Sequence, residues 1–237
     1  MIQWRRSGER GRGRESWLES RYSFSFAHYF DPDNTRFRAL RVLNEDWIAP
    51  GSGFGLHPHR DMEILTYPVA GTLEHRDSEG NASQLSTGRV QLMSAGTGIA
   101  HSEVNASNDT LHLFQIWLTP DRPGHRPSYQ ELELELDADL DTDDVTAPLR
   151  SLVTPDGRDG TLRIHQDAFI SRVTLSQGGS LERALAPGRH AWLQIVRGRG
   201  TLNGDTFESG DGAALSQESS LKLDASEETE ALLFDLA

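Results

Sequence analysis

Apolar and polar residues alternate along most of this chain with a period of two, which places successive side chains on opposite faces of a strand. In "RYSFSFAHYF" Tyr22, Phe24 and Phe26 fall on one face, and Ser23, Ser25 and Ala27 on the other. "RALRVLNEDWIAP", "EILTYPVAGTLEH", "RVQLMSAG" and "TLHLFQIWLTP" predict further strands. Turn signals such as "DPDN", "PGSG", "EGN" and "GTG" separate them. Their spacing, roughly 8–12 residues, suits a sandwich or barrel. No stretch carries a long helical period, so the pattern predicts an all-β protein.

The pattern runs twice. "LTYPVAGTLEH" and "QIVRGRGTLNG" each end an apolar strand in Gly-Thr-Leu. Asn203-Gly204, between alternating arms, predicts a tight hairpin. The expected organisation is two tandem copies of one β-fold, residues 1–135 and 136–237. They join through "PSYQELELELDADLDTDD", whose front predicts a strand and whose acidic back predicts an exposed connection.

Composition narrows the class of function. Apolar residues are 36% of 237 and spread throughout, as in a globular protein. No apolar run nears the ~18 residues of a membrane span. The opening "MIQWRRSGERGRGRES" is basic and lacks the apolar core of a secretory signal, so the expected location is cytoplasmic. The absence of cysteine excludes disulfides, thiolate ligands and cysteine nucleophiles. A net charge of -13 disfavours direct nucleic-acid binding. The basic cluster Arg5, Arg6, Arg10, Arg12 and Arg14 is expected to be a solvated or locally paired arm.

Histidine placement points to chemistry. "HPHRDMEILTYPVAG" sets His57 and His59 two residues apart, with Glu63 further on, and "AGTGIAHSEVN" does the same with His101 and Glu103. Residues two apart on a strand share a face. Imidazole nitrogens and a carboxylate converging from two strands suit a first-row divalent metal with positions open to water or substrate. Both carboxylates, Glu63 and Glu103, stand at even spacing from a histidine. Aligned on Gly-Thr-Leu, the second copy offers Ala186, Gly188 and Trp192 opposite His57, His59 and Glu63, so the site is expected in the first copy alone. His75 is expected at a turn or behind the ligands, and His112 as a satisfied sheet histidine.

The stretches "SFSFAHYFDPDN", "LRVLNEDWIAPGSGFGLHPHRDMEILTYPVAGTLEHRDSEGN" and "GRVQLMSAGTGIAHSEVN" resemble the pirin family of bicupins. The second half resembles the shorter, degenerate cupin of the bacterial quercetinase-like branch. The resemblance implies one metal in the first cupin, held by His57, His59, His101 and Glu103. Iron(II) is the expected ion, with Mn, Co, Ni, Cu or Zn acceptable to the same donors. Glu63, the carboxylate position of many other cupins, then becomes a supporting or structural residue. The implied activity is that of a quercetin 2,3-dioxygenase, opening a flavonol ring with O2 and releasing CO. Glu103 would be both ligand and catalytic base. The implied partners are a flavonol-like small molecule and O2, with no membrane and a monomeric chain. Two other classes fit the same residues: a metal-binding, redox-sensing protein acting through protein partners, and a bicupin whose metal only braces its barrel.

Overall fold

A computed structural model describes residues 1–134 and 149–237 of the chain. Strands dominate, as the alternation predicts. In the first half they are β1 (Ile2–Arg5), β2 (Gly11–Arg14), β3 (Leu18–Tyr22), β4 (Leu40–Ile48), β5 (Gly53–His59), β6 (Glu63–Ala70), β7 (Thr72–Asp77), β8 (Ala82–Ser86), β9 (Arg89–Ser94), β10 (Ile99–Asn105), β11 (Leu111–Leu118) and β12 (Ser128–Glu133). The second half holds β13 (Leu149–Thr154), β14 (Leu162–Arg163), β15 (Ala168–Leu175), β16 (Ser180–Ala184), β17 (His190–Arg197), β18 (Arg199–Leu202), β19 (Asp205–Glu208), β20 (Gly212–Leu215), β21 (Ser220–Ala225) and β22 (Thr229–Leu236). Among the described residues the only helical turns are short 3-10 segments, Ser7–Glu9 and Arg158–Gly160. No helix there is long and apolar enough to cross a membrane.

The chain forms two compact units that do not follow a single cut. The first unit comprises Gly11–Leu134 and Pro155–Gln166; the second takes Met1–Arg10, residues 149–154 and Asp167–Ala237. The expected cut between residues 135 and 136, and the acidic back of the connection, lie outside the described residues. The N-terminal segment belongs with the second unit because β1 completes its sheet, Ile2 pairing with Leu215 and Arg5 with Gly212. Ile2 and Trp4 pack on that unit's apolar cluster. Arg6 pairs with Asp211 at 2.8 Å, and Arg10 donates to the Gly210 carbonyl at 3.1 Å. This part of the basic cluster is a locally paired arm, as its composition suggested.

In the first unit one sheet runs β12-β9-β6-β11-β4-β3-β2 and the other β5-β10-β7-β8. Their strands cross a layered interior. Ile48, Leu73, Leu85, Leu111 and Leu113 form one apolar cluster, and Ile64, Met93, Ala95 and Ile99 form another. Between them along the strands lie Thr66 on β6, His75 on β7, Gln91 on β9, Glu103 and His101 on β10, and Gln115 on β11, all buried. The period-two rule thus puts a polar band on the inward face of strands that are apolar at both ends.

The second unit repeats the ladder. Its strands run β1-β20-β17-β22-β15-β13 in one sheet and β16-β21-β18-β19 in the other. Asn203 (φ 49°) and Gly204 (φ 93°) form the expected tight hairpin between β18 and β19. The repeat is not aligned by Gly-Thr-Leu. Val69 is bulged where β6 pairs with β11, and Val196 where β17 pairs with β22. Gly71 and Gly198 both have positive φ, and a Cβ on either would lie 2.9 or 2.7 Å from the Cα of Leu111 or Thr229, the first residue of β11 or β22, which pairs with β6 or β17. Gly198, not Gly200, is therefore the counterpart of Gly71, two residues from the alignment the sequence suggests.

One predicted strand is shorter than expected. β3 ends at Tyr22, and "SFSFAHYF" continues as a loop. Ala27 takes a left-handed φ of 50° there. Asp31 holds the loop, accepting from Tyr29 Oη, Asn34 Nδ2 and the backbone N–H of Asp33.

Candidate metal centre

β5 and β10 pair antiparallel with His57 opposite His101. The spacing of two on β5 brings His59 to the same side. The three rings meet, with centroids 4.8 Å apart for His57–His59, 4.5 Å for His57–His101 and 4.8 Å for His59–His101. One ring nitrogen from each lies within 4.8 Å of the others. Glu103, two residues beyond His101, groups at the same range with His101 and His75.

Hydrogen bonds set the direction of the lone pairs. His57 Nδ1 lies 2.7 Å from the Gly55 carbonyl, so this nitrogen carries the proton and Nε2 is left as an acceptor. His101 Nδ1 lies 3.4 Å from His75 Nδ1, and His75 Nε2 lies 3.3 Å from Asp77 Oδ2. Asp77 accepts from the backbone N–H groups of Glu79 and Asn81 and from Asn81 Nδ2. A carboxylate held this way keeps the proton of His75 on Nε2, which makes Nδ1 the acceptor for His101. His101 Nε2 is buried without a hydrogen-bond partner in the protein. Burial, with His57 and His59 nearby, lowers His101 to about 2; burial and His57 lower His59 to about 4. Both are neutral at pH 7, the form that binds metal.

Glu103 is 3% exposed. Gln115 Nε2 donates to its two oxygens at 2.8 and 2.7 Å, and Thr66 Oγ1 to one at 3.4 Å. Burial raises its carboxyl to about 7; the Gln115 bond opposes that rise and the charge of Asp46 adds to it. A cation would favour the ionised form.

These residues open on a cavity of about 720 Å³ lined also by Trp17, Tyr22, Phe26, Tyr29, Phe54 and Trp117. Gly11 and Gly13 make room for its aromatic wall: a Cβ would lie 2.4 Å from the Tyr29 ring or 2.0 Å from the Tyr22 hydroxyl. Three imidazole nitrogens, one of them orphaned, beside a buried carboxylate fit a divalent first-row ion with positions left toward the cavity.

Glu63 is elsewhere. Its Oε1 accepts from Ser94 Oγ at 2.7 Å and lies 3.2 Å from His165 Nδ1, so it ties residues 155–166 to the sheet. His112 faces outward, 2.9 Å from Glu45 and stacked on Trp47. His75 is not at a turn but fully buried within β7, behind His101. Sequence reasoning missed Asn44, Asp46, Asp77, Gln91 and Gln115. The signal for Asn44, Asp46 and Gln115 was a polar residue at an inward position of an otherwise apolar strand.

Two small β-barrels in one chain, one with a histidine cluster opening on an aromatic cavity, define a bicupin. Residues 5–118 match the pirin family and residues 151–236 the quercetinase C-terminal cupin domain. The chain belongs to the pirin family. It is 44% identical over 237 residues to the quercetin 2,3-dioxygenase of Escherichia coli K12, spanning 100% of this chain and 99% of that protein. It is 43% identical to the bacterial pirin YhhW from Escherichia coli, solved in complex with nickel(II), with a TM-score of 0.93 over 100% of this chain and 99% of that one. A quercetin 2,3-dioxygenase from Acinetobacter baumannii shares the fold at 23% identity, with a TM-score of 0.75 over 95% of this chain and 84% of that one.

Proposed function

We propose that the protein is a metal-dependent dioxygenase of the quercetin 2,3-dioxygenase type, with iron(II) held by His57, His59, His101 and Glu103. The observation that carries this reading is the convergence of three imidazoles on the aromatic cavity, with His101 Nε2 buried and unpartnered. The relatives bearing that name add support. A divalent ion there supplies Lewis acidity, which favours loss of a proton from a flavonol hydroxyl.

The remaining work falls to this chain's own groups. Glu103 takes the hydroxyl proton on a carboxylate oxygen, beside the place where the hydroxyl would meet the histidines. Gln115 and Thr66 hold the carboxylate in place. Gly55, and the couple His75–Asp77, keep His57 and His101 in the tautomer that turns Nε2 inward. Trp17, Phe26, Phe54 and Trp117 give a planar substrate apolar faces and exclude water.

The test is oxygen uptake and carbon monoxide release with quercetin, after elemental analysis of protein purified from its own host. It is extended by Glu103→Gln and Glu63→Gln at equal metal occupancy. Glu103→Gln should weaken metal and lower turnover beyond the loss of metal. Glu63→Gln should keep metal when saturated. The reverse pattern would move the carboxylate ligand to Glu63, and absence of turnover by loaded protein would remove the dioxygenase reading.

A further inference from the structure

The cavity presents polar atoms that the histidine cluster does not use. Asn44 Oδ1, Gln115 Oε1 and Trp117 Nε1 are each buried with no hydrogen-bond partner in the protein. All three residues line the same cavity as His57, His59 and His101. Asn44 is 4% exposed and Gln115 7%. Such atoms are uncommon in folded proteins, because burying a donor or acceptor without a partner forfeits its hydration.

Their placement follows from the sheet. Asn44 on β4 is the cross-strand partner of Gln115 on β11, so their side chains share a face. Asp46, two residues along β4, joins that face; it is 3% exposed and accepts from Ser20 Oγ at 2.5 Å. Ser20, Asn44 and Asp46 all line the cavity. The Gln115 amide is oriented by its Nε2, which donates to both oxygens of Glu103. Gln115 Oε1 is then an acceptor. Trp117, two residues beyond Gln115, sets its ring 4.8 Å from His59 and 5.5 Å from Phe26. Its indole N–H can only donate.

We propose that Asn44, Asp46 and Gln115 form a hydroxyl-reading subsite, which selects a planar aromatic substrate carrying hydroxyl donors beyond the one that faces the histidines. The three acceptors accept hydrogen bonds from those added hydroxyls, and Trp117 Nε1 donates to a substrate oxygen. The substrate class is a polyhydroxylated flavonol-like or catechol-like compound, rather than one with a single hydroxyl. The inference rests on the flavonol reading above and adds to it the residues that discriminate between flavonols.

The probes are quercetin and 3-hydroxyflavone, which has the 3-hydroxyl alone. Dissociation constants are measured without oxygen on metal-loaded protein, and turnover with oxygen. The unchanged protein should prefer quercetin by about tenfold or more, the scale of one or two hydrogen bonds. Asn44→Leu, close in shape, should cut quercetin affinity by about tenfold and leave 3-hydroxyflavone within about twofold. Asp46→Asn should narrow the preference in the same direction. A merely structural role would weaken both compounds together. The inference is overturned if the unchanged protein shows no preference, or if the preference survives both variants while turnover persists. Failure of loaded protein to bind or turn over either compound would instead overturn the flavonol reading, and this inference with it.

Discussion

Thr66, His75, Gln91, His101, Glu103 and Gln115 of the first unit correspond in strand register to Leu193, Leu202, Ala213, Leu221, Leu223 and Leu233 of the second. The ladder pairs His75 with Glu103 as it pairs Leu202 with Leu223, and Thr66 with Gln115 as Leu193 with Leu233. The second set is apolar and buried in one cluster. His57, opposite His101, becomes Arg183, opposite Leu221. The same backbone therefore tolerates either interior. An apolar interior stabilises its unit by removing hydrocarbon from water. The polar band instead buries a carboxylate and a ring nitrogen at a cost. On this account the first unit accepts that cost for a metal site, and the second gives up the site.

The largest break in the comparison is His101→Leu, which makes the first interior resemble the second. Metal affinity should fall well beyond the ~10–100-fold expected of a change behind the ligands. The metal-free protein should keep or gain thermal stability, because an unpartnered imidazole is removed. Elemental analysis and a melting curve check both halves of this expectation. Next comes the reverse change, Leu223→Glu. Its register neighbour Leu202 and its surroundings offer no donor like Gln115, so a buried carboxylate should cost about 3–5 kcal/mol in denaturant unfolding.

Asp77→Asn sharpens the account without touching a proposed ligand. It removes the charge that orders His75 behind His101, and metal affinity should drop by about 10–100-fold. A chelator competition reads the change directly. The smallest expected effect is that of pH. Glu103, raised from 4.5 to about 7, holds a proton in the metal-free protein below pH 7 that a metal must displace. Affinity should therefore weaken by up to about tenfold per unit below pH 7 from this group, and level off above it. In the metal-free protein the same ionisation lowers stability as pH rises from 4.5 through 7, since the folded state favours the protonated acid.

Much of this was legible in the chain. Period-two alternation predicts the strands, and His57, His59 and His101 meet because even spacing on paired strands leaves them no other face. What escaped depends on pairings distant in sequence. Asn44 and Gln115 are neighbours only through the β4–β11 ladder, and Asp77 and His75 meet His101 only through the β7–β10 ladder. The Gly-Thr-Leu repeat misled because it matched side chains, while the bulges at Val69 and Val196 set the register. "SFSFAHYF" alternates like a strand but turns at Ala27, where Asp31 offers the loop competing hydrogen bonds. The N-terminal arm gave no sign in its sequence that β1 would complete the second unit's sheet.

The most direct test of the contrast between the two interiors is anomalous diffraction at the iron edge from crystals of the iron(II)-loaded protein. A single peak per chain is predicted, bounded by His57, His59, His101 and Glu103. A peak within the second unit, or one that excludes Glu103 in favour of another carboxylate, would contradict it.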